Sequence, residues 1–234
     1  MRARLSNTVE LLDEAVHDEQ VLTQSLAHVA QINRYFGGEK AVLSALSHLL
    51  AAGASATILD IGTGGGDIPV AIVAAARGRG AQVRVTATDI HPQMRAIAAA
   101  RAAHFPEITV EQADAFDLPY ADGTFDAALL TLTVHHFEGD GPQRALREAG
   151  RVARLVVVSE LERHRMNYIG ARLLSWTWWR ANPLTRHDGP LSVLRAFTAS
   201  ELLAIARSAG LHGVRVERRW FFRLLLTAQG HTQP

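Results

Sequence analysis

The apolar run Ile58-Leu59-Asp60-Ile61 breaks into Gly62-Thr63-Gly64-Gly65-Gly66 and then resumes as Asp67-Ile68-Pro69-Val70-Ala71. Such a run suits a strand buried on both faces, and the glycines permit backbone angles and close approaches that a Cβ forbids. A helix running from Asp67 to about Ala76 turns its free N–H groups toward whatever lies over the loop. The pattern therefore predicts a strand, a loop and a helix that cradle a small polar ligand.

A dinucleotide would need a third small residue three positions beyond Gly64, and Asp67 stands there. A carboxylate at that point repels a pyrophosphate and crowds the packing of helix on strand. Asp60 puts a second acid at the strand's end. The two acids suit a ligand with cationic groups better than NAD or FAD.

Strands and helices alternate through the rest of the chain. Strand patterns recur at Val83–Ile90, Ile108–Glu111, Phe125–Leu132, Leu155–Val158, Val214–Glu217 and Phe221–Thr227. Between them, helices are expected from Asp67, from Pro92 to about Phe105, over Gly141–Val152, and after the capping box Thr198-Ala199-Ser200-Glu201. That order predicts an α/β fold with a mostly parallel sheet covered by helices, and ligands beyond the strands' carboxyl ends.

Three helices are expected before the first strand. The first is capped by Asn7 and Glu10 and carries Val9, Leu12 and Val16; the second carries Leu22, Leu26, Val29 and Ile32 and stops at Gly37-Gly38; the third runs from about Glu39 to Ala52. Residues 1–53 thus read as an N-terminal helical cap, and 54–234 as the core with an insertion at 163–196.

The formal net charge of +1, with 24 basic against 23 acidic residues, gives no global pull toward nucleic acid. The absence of cysteine excludes thiol catalysis and disulfides and fits a reducing cytoplasm. No signal peptide or bilayer-spanning run is expected, hence no stable membrane insertion. A monomer or a homodimer is equally compatible.

Three segments in order resemble the class I S-adenosylmethionine (SAM)-dependent methyltransferases. Asp60-Ile61-Gly62-Thr63-Gly64-Gly65-Gly66 is similar to their first motif, an acid followed by G-x-G-x-G. Val83–Ile90 ends in Asp89, about 20 residues past the loop, where a ribose needs a carboxylate acceptor. Gln112-Ala113-Asp114-Ala115-Phe116 resembles the adenine motif. The resemblance spans about residues 55 to 160, and 198 to 228 more loosely. It implies a Rossmann-like, doubly wound, mostly parallel seven-stranded sheet with helices on both faces, and SAM as cofactor. The contacts it implies come from Asp60, Gly62, Thr63, Gly64, Gly66, Asp67, Asp89, Ile90, Asp114, Ala115, Phe116 and Thr131. Taken singly, Asp60 also suits a cap for the loop, Asp89 an N-cap before Pro92, and Asp114 a solvated turn.

After the fourth strand, His135-His136 supplies imidazoles whose ordinary pKa suits a general base for a hydroxyl nucleophile. His135 is the first candidate and His136 the second; the rival is a residue that only lines the pocket. Substrate contacts are expected from Arg34 and Tyr35 in the cap and from Trp176, Arg186 and His187 in the insertion, which holds three of the four tryptophans. No metal-ligand spacing is evident, so no metal is expected. The reading is methyl transfer to a small molecule, foremost the hydroxyl of an aromatic or polyketide-like compound. C-methylation of a quinone-like ring and an RNA or protein methyltransferase are the alternatives.

Overall fold

The computed structural model describes residues 3–6 and 8–231. Its strands are β1 (Ser55–Ile61), β2 (Gln82–Asp89), β3 (Ile108–Gln112), β4 (Phe125–Thr131), β5 (Ala153–Leu161), β6 (His212–Arg219) and β7 (Arg223–Gln229). They form one sheet in the order β3-β2-β1-β4-β5-β7-β6, in which only β7 runs against its neighbours. The order reverses direction between β1 and β4. The connections from their carboxyl ends therefore leave toward opposite faces, and the crevice between them is where open α/β sheets place ligands.

Successive strand residues point to opposite faces, so the apolar strands feed two cores. On one face Leu59, Leu130, Val156 and Leu224 pack against α5 (Gly141–Val152) and α8 (Ala199–Ser208) through Leu146, Ala149, Leu202 and Ala206. On the other, Ile58, Val85, Leu129 and Val157 meet α3 (Asp67–Arg79) through Ile72 and Val73. Leu129 and Leu146 are wholly buried; truncating either to Ala would cost about 2–5 kcal/mol in lost transfer energy and cavity formation.

The N-terminal segment departs from the expected three-helix cap. Asn7 lies outside the described residues, and the described residues that follow form a 3-10 turn at Leu11–Asp13. Val9 and Val16 are exposed, so the apolar spacing there has no partner surface to stabilise a helix. Helix α1 (Glu19–Tyr35) forms as expected, capped by Asp18 accepting from the Val21 N–H. The expected third helix ends early, as α2 (Gly38–Ala45), and does not stand apart. Ala41, Val42, Leu46 and Leu50 complete the second core cluster, because α2 covers the β5 and β7 part of the face that α3 leaves open.

Between β2 and β3 lies α4 (Pro92–Ala102), and the insertion folds as α6 (Arg165–Trp176) and α7 (Pro183–Arg195). Helix α7 is tied to the N-terminal segment: Asp188 accepts the Leu11 and Leu12 N–H groups at 2.9 Å each, and Asn182 donates to the Val21 carbonyl at 2.8 Å. Two segments distant in sequence thus form one roof beyond the strand ends. Among the described residues no helix is long and apolar enough to cross a membrane.

Candidate active site

Beneath that roof is a cavity of about 540 Å³, with the glycine loop on its floor. The loop's shape follows from its glycines at two points. Gly62 has φ +68°, and a Cβ there would sit 2.5 Å from Thr133 Cγ2; Gly66 has φ +72°, with Ala98 Cβ 3.1 Å from where a Cβ would lie. Asp89 fixes the loop from β2: its Oδ2 accepts the Gly64 N–H and its Oδ1 the His91 N–H, each at 2.9 Å. Asp114 makes a similar local turn by accepting the Phe116 N–H at 2.9 Å.

Every cofactor-binding residue expected from the sequence lines this cavity except Gly66, which lies behind the loop against α4. The floor is acidic. Burial pushes the Asp60 carboxyl up from its ordinary 3.8 to about 7, and the nearby Asp67 and Asp89 charges push the same way. Burial also raises Asp67, even though Asn33 donates to its Oδ2 at 2.9 Å and Arg101 lies 3.9 Å from its Oδ1.

Asn33 belongs to the segment Asn33–Phe36, read from the sequence as closing over the cofactor, whereas Arg223 was not singled out. Arg223 is wholly buried, opens a leucine-rich strand, and donates from Nη2 to Asn33 Oδ1 at 3.1 Å. Its Nε and Nη1 have no hydrogen-bond partner among the described residues, and the residue faces the cavity. Burial lowers its pKa to about 10, with Glu160 and Asp67 opposing. A cation inside an apolar strand was the available signal.

Opposite the loop stand the histidines, on a 3-10 turn (Val134–His136) that follows Leu132, a non-glycine residue at φ +54°. His135 is 2% exposed; its Nδ1 lies 2.7 Å from Glu160 Oε2 and its Nε2 3.7 Å from Glu10 Oε1. Glu160 Oε1 also accepts the Val134 N–H at 2.7 Å. Burial would raise the Glu160 carboxyl, but His135 outweighs it and the group sits below its ordinary value. His136 Nδ1 lies 2.8 Å from Asp13 Oδ1. Burial would lower His136, yet Glu10, Asp13 and Glu160 together hold it up at about 9.

Glu10, His135 and His136 have ligand-type atoms within 4.8 Å of one another, a cluster that sequence spacing could not disclose. Positive charge already reaches it, since Arg195 Nε lies 3.5 Å from Glu10 Oε1 and donates to the His135 carbonyl at 3.2 Å. Arg195 thus balances Glu10 where a cation would otherwise be drawn.

Arg34, Tyr35, Trp176, Arg186 and His187, expected at the substrate, lie outside the cavity lining and are exposed. Arg34 covers the Tyr35 ring and Arg186 the Trp176 ring, each at 5.9 Å. The cause is helical phase: Leu174 faces the cavity, and Trp176 two residues on is rotated by about 200°. The insertion lines the cavity with Met166, Asn167, Leu174, Trp179 and Val193 instead.

Residues 58–155 match the family described as "Methyltransferase domain". The demethylmenaquinone methyltransferase of Thermus thermophilus is 39% identical over 106 residues, which cover 43% of this chain and 46% of that protein. The chain thus matches less than half the length of this curated relative. Among solved structures, a SAM-dependent methyltransferase from Aquifex aeolicus superposes with TM-score 0.64 at 18% identity, covering 91% of this chain and 98% of that one. Human N-acetylserotonin methyltransferase in complex with SAM gives 0.63 at 19% identity, over 92% and 57%. A seven-stranded sheet with one reversed strand and a glycine loop at its switch point defines a Rossmann-like methyltransferase fold. Residues 58–155 carry the match to a methyltransferase domain, and the chain shares its fold with SAM-dependent methyltransferases.

Proposed function

We propose that this protein transfers a methyl group from SAM to a small, largely apolar acceptor bearing an acidic hydroxyl, with oxygen as the methylated atom. The observation that carries the reading is the buried His135–Glu160 pair, which opens on the same cavity as the glycine loop. When bound, the cofactor supplies a sulfonium methyl for in-line displacement.

The residues present fit that cofactor. Arg223, with two unpartnered buried N–H-bearing nitrogens, would hold the carboxylate of an amino-acid head, and Asp60 and Asp67 would face its cationic groups. Asp89 keeps acceptor capacity beyond its two backbone bonds for ribose hydroxyls. Ile90, Ala115 and Phe116 offer an apolar berth for adenine, beside Asp114.

His135 accepts the acceptor's hydroxyl proton at Nε2, and Glu160 at Nδ1 fixes the tautomer and stabilises the imidazolium that results. His136, charged below about pH 9, presents a cation to the developing oxyanion and is no base at neutral pH. The roof formed by α7 and the N-terminal segment excludes water and leaves room for a small acceptor under it.

C-methylation of a quinone-like ring is the second reading, favoured by the similarity to a demethylmenaquinone methyltransferase. Both readings use an oxyanion next to His135. A screen of phenolic, polyketide-like and quinol acceptors with labelled SAM, read by product mass and by the position of the new methyl, separates them. His135→Ala should lower turnover by about 10²–10⁴-fold, the span of general-base catalysis, while leaving SAM affinity within a few-fold. Unchanged turnover with chemistry limiting would remove the base assignment.

A further inference from the structure

The outer face of α6 is a continuous apolar stripe that no other described element covers. Met166, Ile169, Leu173 and Trp176 recur at spacings of three and four residues and so share one side of the helix. They are 55%, 40%, 63% and 66% exposed. The inner side is already committed, with Ala171 buried and Tyr168 and Leu174 packed in the cluster of Trp179 and Val193.

The tip between β6 and β7 extends the same surface. Trp220 is 85% exposed, and Phe221 and Phe222 take φ of +59° and +56°, a conformation costly for aromatic residues. The His164 ring, which precedes α6, stacks on Phe222 at 4.7 Å. Helix and tip therefore meet at one rim. Met166, Phe221 and Phe222 also line the cavity, so that rim is its mouth.

Charge selects what this face meets. Residues 163–196 contain six arginines and one acid, Asp188, which is buried. Arg165, Arg172, Arg180 and Arg186 are exposed around the stripe. A second copy docked on the same face about a twofold axis would set these arginines against each other with no exposed acid of the segment to pair them. Protruding tryptophans flanked by guanidinium groups instead match an anionic bilayer, where apolar side chains enter the headgroup boundary and arginines meet phosphates.

We propose that the outer stripe of α6 and the tip at 220–222 dock this protein peripherally on an anionic lipid surface, with the cavity mouth facing the headgroups. This docking does not depend on which reaction the cavity performs, and its test reads binding alone.

The experiment is co-sedimentation of the full chain with phosphatidylcholine vesicles and with equimolar phosphatidylcholine and phosphatidylglycerol. Binding should follow the anionic fraction and weaken with salt. Leu173→Glu combined with Trp220→Glu should lower partitioning at least ten-fold, and Arg172→Gln alone about five-fold, the share of one arginine near an anionic surface. These side chains are exposed, so melting temperatures should match wild type. Failure to bind anionic vesicles, or binding that neither variant changes, overturns the proposal. So does a stable dimer by light scattering that Leu173→Glu dissociates, which would assign the face to a second copy.

Discussion

Asp60→Asn gives the most direct test of how the cavity floor is built. The Asp60 carboxyl is 2% exposed and sits at about 7 against an ordinary 3.8, chiefly because burial disfavours its charge. An acid raised on folding is neutral in both states below pH 3.8, so it carries no penalty there. Between 3.8 and about 7 the unfolded chain ionises while the folded one keeps its proton, and stability falls by up to ~1.4 kcal/mol per pH unit. Above about 7 the penalty levels off near 4 kcal/mol. Asn has the same shape and cannot ionise. The variant without ligand should therefore exceed wild type by up to about 4 kcal/mol at pH 8, and by only about 0.5 kcal/mol at pH 4. For a chain of this size that corresponds to a melting temperature higher by roughly 8–16 °C at pH 8. The same change removes a negative charge from the cationic ligand's surroundings, so SAM affinity measured by calorimetry should fall and lose its rise between pH 6 and 8. Thermal melts across pH 4 to 9, without and with SAM, measure both effects. A stability difference that does not change with pH would refute the reasoning, because it would mean that Asp60 ionises in the folded protein as it does in water.

Other perturbations address separate parts of the site. Gly62→Ala must adopt φ +68° and drive its Cβ to 2.5 Å from Thr133 Cγ2, so it should destabilise the fold by a few kcal/mol and abolish SAM binding; wild-type urea stability would contradict the close approach. His136 lies above its ordinary 6.5 at about 9, so its stabilising effect is complete below 6.5 and lost as pH rises through 9. Asp13→Asn should bring the His136 titration, followed by NMR, back toward neutrality, and an unmoved titration would deny Asp13 its part. Arg223→Met should weaken SAM binding about ten-fold or more if the unpartnered N–H groups hold the head carboxylate; equal affinity would leave Arg223 a structural charge.

Local pattern carried much of this protein. The break from apolar strand to glycines, the acid Asp89 at the end of the next strand and the Thr198–Glu201 capping box are all short-range signals, and each is found where its spacing placed it. The pattern misled at Val9 and Val16, where helical spacing exists but no packing surface does. It also misled in the insertion, where residue type suggested a pocket while helical phase turned Trp176 outward.

The sequence by itself determined the alternating order of strands and helices, the ligand loop and the acids around it, because backbone angles, strand burial and helix capping depend on residues near one another in the chain. Only the tertiary structure decided what faces that loop. Glu10 and Glu160 meet His135 from either side of it in the sequence, Asp67, Asn33 and Arg223 join through three different elements, and α7 closes with the N-terminal segment over all of them. Such contacts hold because desolvated charges must find partners, and no spacing along the chain records which partners the fold will bring.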